Sequence, residues 1–184
     1  GLLLLSATGI KPLLLGLLAV IWYNGIYTPL KRRTPFAALP GAVCGALPPL
    51  IGWSATGASL LEPQILILSG TLFLWQIPHT WLLLCRYRAD LQNSGLPDLF
   101  KRITTEKLLR INNCWLLALL LCYLLFPLFG LFHQQLLINA YLTLLSAIAI
   151  AAVRNRASSG RLFHLVNLSM ALLLLTLIVD SPLK

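Results

Sequence analysis

Charge is what this chain has least of. Charged side chains make up 10% of its 184 residues, and only five are acidic. A soluble domain carries about a quarter charged residues, so a water-surrounded globule is excluded. Cysteine is scarce as well. Cys44, Cys85, Cys114 and Cys122 lie in or at the ends of apolar runs and form no CxxC pair. They read as small core residues, not as disulfides or zinc ligands. No internal repeat is strong enough to argue from. Basic residues do not alternate with aromatics, as a surface for stacking bases requires. The net charge of +9 therefore does not point to nucleic acid. What is present is apolar: 58% hydrophobic residues and a mean hydropathy of +0.84. Such a chain belongs in a bilayer.

Six stretches are long and apolar enough to span it: 12–30, 36–56, 64–85, 111–129, 136–153 and 162–179. Residues 2–5 read as the stub of a further helix. The chain opens inside that apolar run, with no methionine and no basic segment before it, so it is expected to be the C-terminal part of a longer protein, and no signal peptide is read. The fold class is all-α, a polytopic transmembrane helical bundle, with 1–184 as one domain. Pro12 suits a first helical position, and Trp22, Tyr23 and Tyr27 suit an interfacial belt. Basic residues alternate between loops: three in 31–33, six in 86–110 and three in 154–161. Only Lys11 and Lys184 fall elsewhere. The excess of lysine and arginine makes that face cytoplasmic, or matrix-facing in a mitochondrion. The inner membrane of either is the expected location.

The second span is unusual: FAALPGAVCGALPPLIGWSAT. Gly41 and Gly45 form a small-xxx-small pair that allows close helix approach. Pro48, Pro49 and Gly52 are expected to break or kink the helix, and irregular backbone at this depth lines a cavity or is buried in protein. Tight packing and cavity lining are equally good readings here.

The third span carries the chemistry. Trp75, Gln76, Pro78 and His79 interrupt an apolar run, and Arg86, Arg88 and Asp90 follow at its end. Polar groups at membrane depth mark a functional site by default. If the helix continues, His79 and Asp90 lie within about 20° of each other and about 16 Å apart along one face. An elongated amphiphile with an apolar body and a charged end fits that spacing. His79 could ligate haem iron or bond a porphyrin carboxylate; a structural histidine bonded to a neighbouring carbonyl is the competing reading. Asp90 and Asp98 on a basic face suggest Mg²⁺ held with a phosphate ligand. Lys31, Arg32, Arg86, Arg88, Lys101 and Arg102 could share the phosphate charge, although for most of these setting topology is the simpler role.

Four motifs in order, YTPLKRRTP (27–35), GAVCGALPPLIGW (41–53), LFLWQIPH (72–79) and RADLQNSGLPDL (88–99), resemble the protoheme IX farnesyltransferases, or haem O synthases, among the UbiA-type intramembrane prenyltransferases. Residues 107–180 match them mostly in hydropathy. The resemblance implies a nine-span bundle, of which this chain would hold the last six spans and the end of the third. It implies farnesyl transfer from farnesyl diphosphate to a vinyl group of protoheme IX (haem b), with Mg²⁺ and release of diphosphate. It implies haem A synthase as a partner. Asp90 matches the acid of the family's second aspartate motif and is the metal candidate, but Ala89 stands where a second acid is usual. Asp98 stands where an apolar residue is usual. Lys31 and Arg32 match a basic pair assigned to catalysis with Asp90. His79 matches a haem-contact histidine, and Trp75, Gln76 and Arg86 are the further binding candidates. The first aspartate motif, NDxxDxxxD, is not in these residues and is expected upstream.

Two alternatives stand beside this. One is a relative with a quinone-precursor or chlorin acceptor, against which WQIPH argues. The other is a non-catalytic membrane protein that binds haem or lipid, which Ala89 and the missing motif favour. A small transporter is weaker, because no inverted pair of broken helices is evident.

Overall fold

The computed structural model describes residues 8–93, 95, 97–154 and 159–180. The stub at 2–5, the centre of the basic loop at 155–158 and the tail at 181–184 lie outside the described residues. Six long helices occupy the six expected positions. They are α1 (Ile10–Lys31), α2 (Ala38–Ala55), α3 (Pro63–Arg86), α5 (Thr105–Leu128), α6 (Gln135–Arg154) and α7 (Ser159–Asp180). A short α4 (Arg88–Asn93) and a 3₁₀ turn (Leu99–Lys101) lie in the long polar loop. Among the described residues, five of the long helices are apolar and long enough to cross a membrane. In α6 the apolar stretch that can be followed is Gln135–Ser146. The chain is an integral multi-pass membrane protein.

Local signals set the ends. Pro63 starts α3 where its missing N–H costs nothing. Thr104 caps α5 by accepting the N–H of Lys107 at 3.3 Å. Gly130, at φ 69°, ends the same helix in a left-handed turn that a side chain would resist. The expected break at Pro48–Pro49 is not made: α2 runs unbroken through both. Proline removes a helical N–H and crowds the carbonyl four residues back. Packing of α2 along α3 outweighs that local cost.

α3 is the centre of the bundle. It packs against α2, α5 and α7, while α1 packs on α2 and α6 packs mainly on α7. One core joins Leu119, Tyr123 and Phe126 of α5 to Tyr141 of α6 and to Met170 and Leu173 of α7. The tyrosine hydroxyls in it are paired: Tyr123 Oη lies 3.1 Å from Ser169 Oγ, and Tyr141 Oη donates to the Tyr123 carbonyl at 3.3 Å. A second core joins Ala38 and Ala42 of α2 to Ile77 and Trp81 of α3 and Leu108 of α5. Trp22 Nε1 ties α1 to α2 by donating to the Pro40 carbonyl at 2.8 Å.

Candidate functional site

Gln76 and His79 are three residues apart, about 60° around a helix. That offset sends them to different neighbours. His79 turns to α7, where its Nδ1 lies 2.8 Å from Asn167 Oδ1. Its ring lies 4.6 Å from that of Trp75, one turn earlier, and 5.3 Å from that of Phe163. Asn167 Nδ2 donates to the Phe163 carbonyl at 2.9 Å. At the end of α3, Arg86 Nη1 donates to His164 Nε2 at 3.1 Å, and its guanidinium carbon stands 5.9 Å from the Phe163 ring. This face is an imidazole among aromatic rings, with an exposed cation at its edge.

Gln76 turns to α2. It lines a cavity of about 280 Å³ with Tyr23, Tyr27, Gly41, Cys44 and Gly45. The glycines make the room. A Cβ on Gly41 would meet the Tyr27 ring at 2.7 Å, and one on Gly45 would meet Gln76 Oε1 at 3.2 Å. Close approach and cavity lining, which the sequence left as alternatives, are both served by these two positions. Tyr23 and Tyr27 belong to a π-helical stretch of α1, Trp22–Tyr27, and such stretches often sit at functional sites. Lys31 Nζ lies 5.4 Å from the Tyr27 ring, at the same end. Arg32 is exposed.

Asp90 does not continue the His79 face. α3 ends at Arg86, and Tyr87 leaves helical geometry at φ −105°, ψ 34°. The helix restarts as α4, with Asp90 exposed in its first turn. The single-face alignment of His79 with Asp90 is therefore corrected. Arg86, Tyr87 and Arg88 are all exposed, so no buried side chain anchors the helix there, and helix stability depends largely on tertiary packing. Asp98 caps the 3₁₀ turn by accepting the Phe100 N–H at 2.8 Å. Arg88 stands 4.4 Å above the Phe100 ring. Among the described residues, no group of three or more histidine, cysteine or acidic side chains could hold a metal, and no hydrogen bond or ion pair joins Asp90 to Lys31, Arg32, Arg86 or His79.

Sequence reasoning missed the α7 wall. Phe163, His164 and Asn167 lie in LFHLVNLSM, where two polar residues three apart interrupt an apolar run. The rule that singled out His79 applies equally to them.

The fold and these two faces define a polytopic helical membrane protein with polar sites on both sides of one central helix. Comparison with known sequences sharpens that class. The chain belongs to the UbiA prenyltransferase family, whose sequence pattern matches residues 1–178. It is similar to the protein named protoheme IX farnesyltransferase of Geobacter sulfurreducens, at 39% identity over 183 residues, covering 97% of this chain and 65% of the relative. The protein of the same name from Oleidesulfovibrio alaskensis is 37% identical over 189 residues, covering 97% and 63%. That of Nitratidesulfovibrio vulgaris strain DP4 is 34% identical over 177 residues, covering 95% and 61%. The chain thus spans less than two-thirds of the length of these relatives. No solved structure matches it.

Proposed function

We propose that this chain carries the acceptor wall and part of the donor wall of an enzyme that moves a farnesyl group from farnesyl diphosphate to a vinyl group of protoheme IX, giving haem O. The observation that carries this is the His79 face. An imidazole between Trp75 and Phe163 suits a flat aromatic macrocycle with a central metal, and Arg86 at its edge suits the macrocycle's carboxylates. The names of the relatives support the same reading.

The cavity on the other side of α3 suits the isoprenoid chain, and Lys31 and Arg32 at its end suit the diphosphate. In the reaction the allylic C–O bond breaks and the electron pair leaves with diphosphate. The vinyl group captures the allylic carbon, and water then adds to the resulting cation with loss of a proton. Lysine and arginine stabilise the charge growing on the leaving group, and a water-poor surrounding protects the cation from early capture. The fit of Mg²⁺ to the described residues is incomplete. Asp90 offers one carboxylate and Asp98 is turned to Phe100, so the remaining ligands would come largely from the diphosphate. The basic loops face the cytoplasm or matrix in this reading, and haem A synthase would take up the product.

The test uses the complete protein in membranes, supplied with protoheme, farnesyl diphosphate and Mg²⁺. Mass spectrometry is expected to find hydroxyethylfarnesyl haem, lost with EDTA. His79→Ala and Asp90→Ala should each abolish or sharply reduce it while the protein still inserts. Wild-type product in both variants overturns the site assignment. No product from the wild-type protein, with haem still bound through His79, supports a non-catalytic haem-binding protein instead.

A further inference from the structure

The structure assigns Asn167 as the positioning residue that fixes the proton of His79 on Nδ1 and so leaves Nε2 as a lone pair for the metal of a porphyrin. The chain of donors decides this. The Phe163 carbonyl can only accept, so the Asn167 group facing it at 2.9 Å is the amide nitrogen. The Asn167 oxygen is then the atom 2.8 Å from His79 Nδ1. An amide oxygen can only accept, so Nδ1 carries the hydrogen. A neutral imidazole protonated on Nδ1 has its lone pair on Nε2. The reversed amide would set two carbonyl oxygens against each other.

The surroundings hold this arrangement. Trp75 and Phe163 flank the imidazole, and Phe163 is the residue whose carbonyl orients Asn167. The ring and the amide that reads its proton are therefore fixed by one turn of α7. Histidines that bind metals commonly give their other N–H to an oxygen acceptor, which fixes tautomer and ring orientation. Here the acceptor comes from a helix that carries none of the motifs in 27–99. Asn167 touches neither substrate in this account; it acts through His79. The assignment rests on the proposal that His79 faces protoheme.

The test titrates haem into the complete purified protein and follows affinity and the Soret and visible bands. Three variants are compared with wild type: His79→Ala, Asn167→Leu and Asn167→Asp. Asn167→Leu is expected to weaken haem binding by on the order of 10–100-fold and to shift the bands. Asn167→Asp is isosteric with the amide: as the neutral acid it accepts from Nδ1 and donates its O–H to the Phe163 carbonyl, so it should restore affinity and return the bands toward those of wild type. Wild-type affinity and bands in Asn167→Leu, with both lost in His79→Ala, overturn the role of Asn167 and leave the haem site standing. Wild-type behaviour in His79→Ala overturns the haem site itself. If Asn167→Asp binds no better than Asn167→Leu, the residue serves packing and the assignment falls.

Discussion

Asp180 accepts both the backbone N–H of His133, at 2.6 Å, and its Nδ1, at 3.0 Å. The same carboxylate takes the N–H of Gln134 at 2.9 Å. The last residue of α7 thereby ties down the turn between α5 and α6. Its side chain is almost wholly buried although it is an acid. It stands thirteen residues from Asn167, about 20 Å along the helix, and so at the far end of the bundle from the His79 face.

Replacing Asp180 by alanine should therefore lower stability without touching chemistry. Hydrogen bonds to a charged group contribute about 1.5–3 kcal/mol, and two backbone N–H groups would lose their acceptor. A loss of about 2–3 kcal/mol is expected. Unfolding of the purified protein in detergent measures it. Haem affinity of the variant, measured well below its unfolding temperature, should equal that of wild type.

Gly45→Val should fill the cavity beside Gln76. A single Cβ already reaches 3.2 Å from Gln76 Oε1, and two more methyl groups overpack it at a cost of about 1–3 kcal/mol. The KM for farnesyl diphosphate should rise about tenfold or more, with haem affinity unchanged. An equal fall in both would show that the two faces of α3 are not separate sites.

Arg86→Gln should do the reverse. Its guanidinium is exposed, so the loss is closer to a surface pair than to a buried one, about 1 kcal/mol or roughly fivefold. The KM for protoheme should rise by that factor and the KM for farnesyl diphosphate should not. A protoheme derivative with esterified carboxylates should bind wild type and variant equally.

Asn112→Leu should leave stability unchanged or raise it. Asn112 is 1% exposed in α5, and neither atom of its amide finds a hydrogen-bond partner among the described residues. An unpaired buried amide is costly, and an apolar side chain of the same shape removes that cost. A clear loss in thermal unfolding would show that the amide is paired in the complete protein.

The architecture was legible because bilayer-spanning helices need long apolar runs and their ends carry the charge. All six long helices lie where hydropathy puts them. His79 and Gln76 were legible for the converse reason, as polar groups where polarity is expensive. The end of α3 was legible too, within a residue, as the point where the apolar run stops; the short α4 after it was not, because no glycine or proline stands between Arg86 and Asp90 to mark the turn. At Pro48 and Pro49 the expectation of a break failed: local chemistry says break, and contact with α3 says continue. That Gln76 and His79 look to different helices depends on where α2 and α7 lie, and no spacing within α3 contains it. Asn167 needed only wider use of a rule already applied. A single interhelical hydrogen bond of this kind adds about 0.6 kcal/mol to membrane-protein stability on average, so its importance lies in the proton it places.

The two prolines have an effect beyond the course of α2. A helix would pair the carbonyls of Cys44 and Gly45 with the N–H groups of residues 48 and 49, and proline has none. Both residues line the cavity beside Gln76. Those two carbonyls therefore lack their usual helical donors, and no substitution of the Cys44 or Gly45 side chain restores them. A main-chain property of two lining residues is thus set one turn away, by prolines that do not line the cavity.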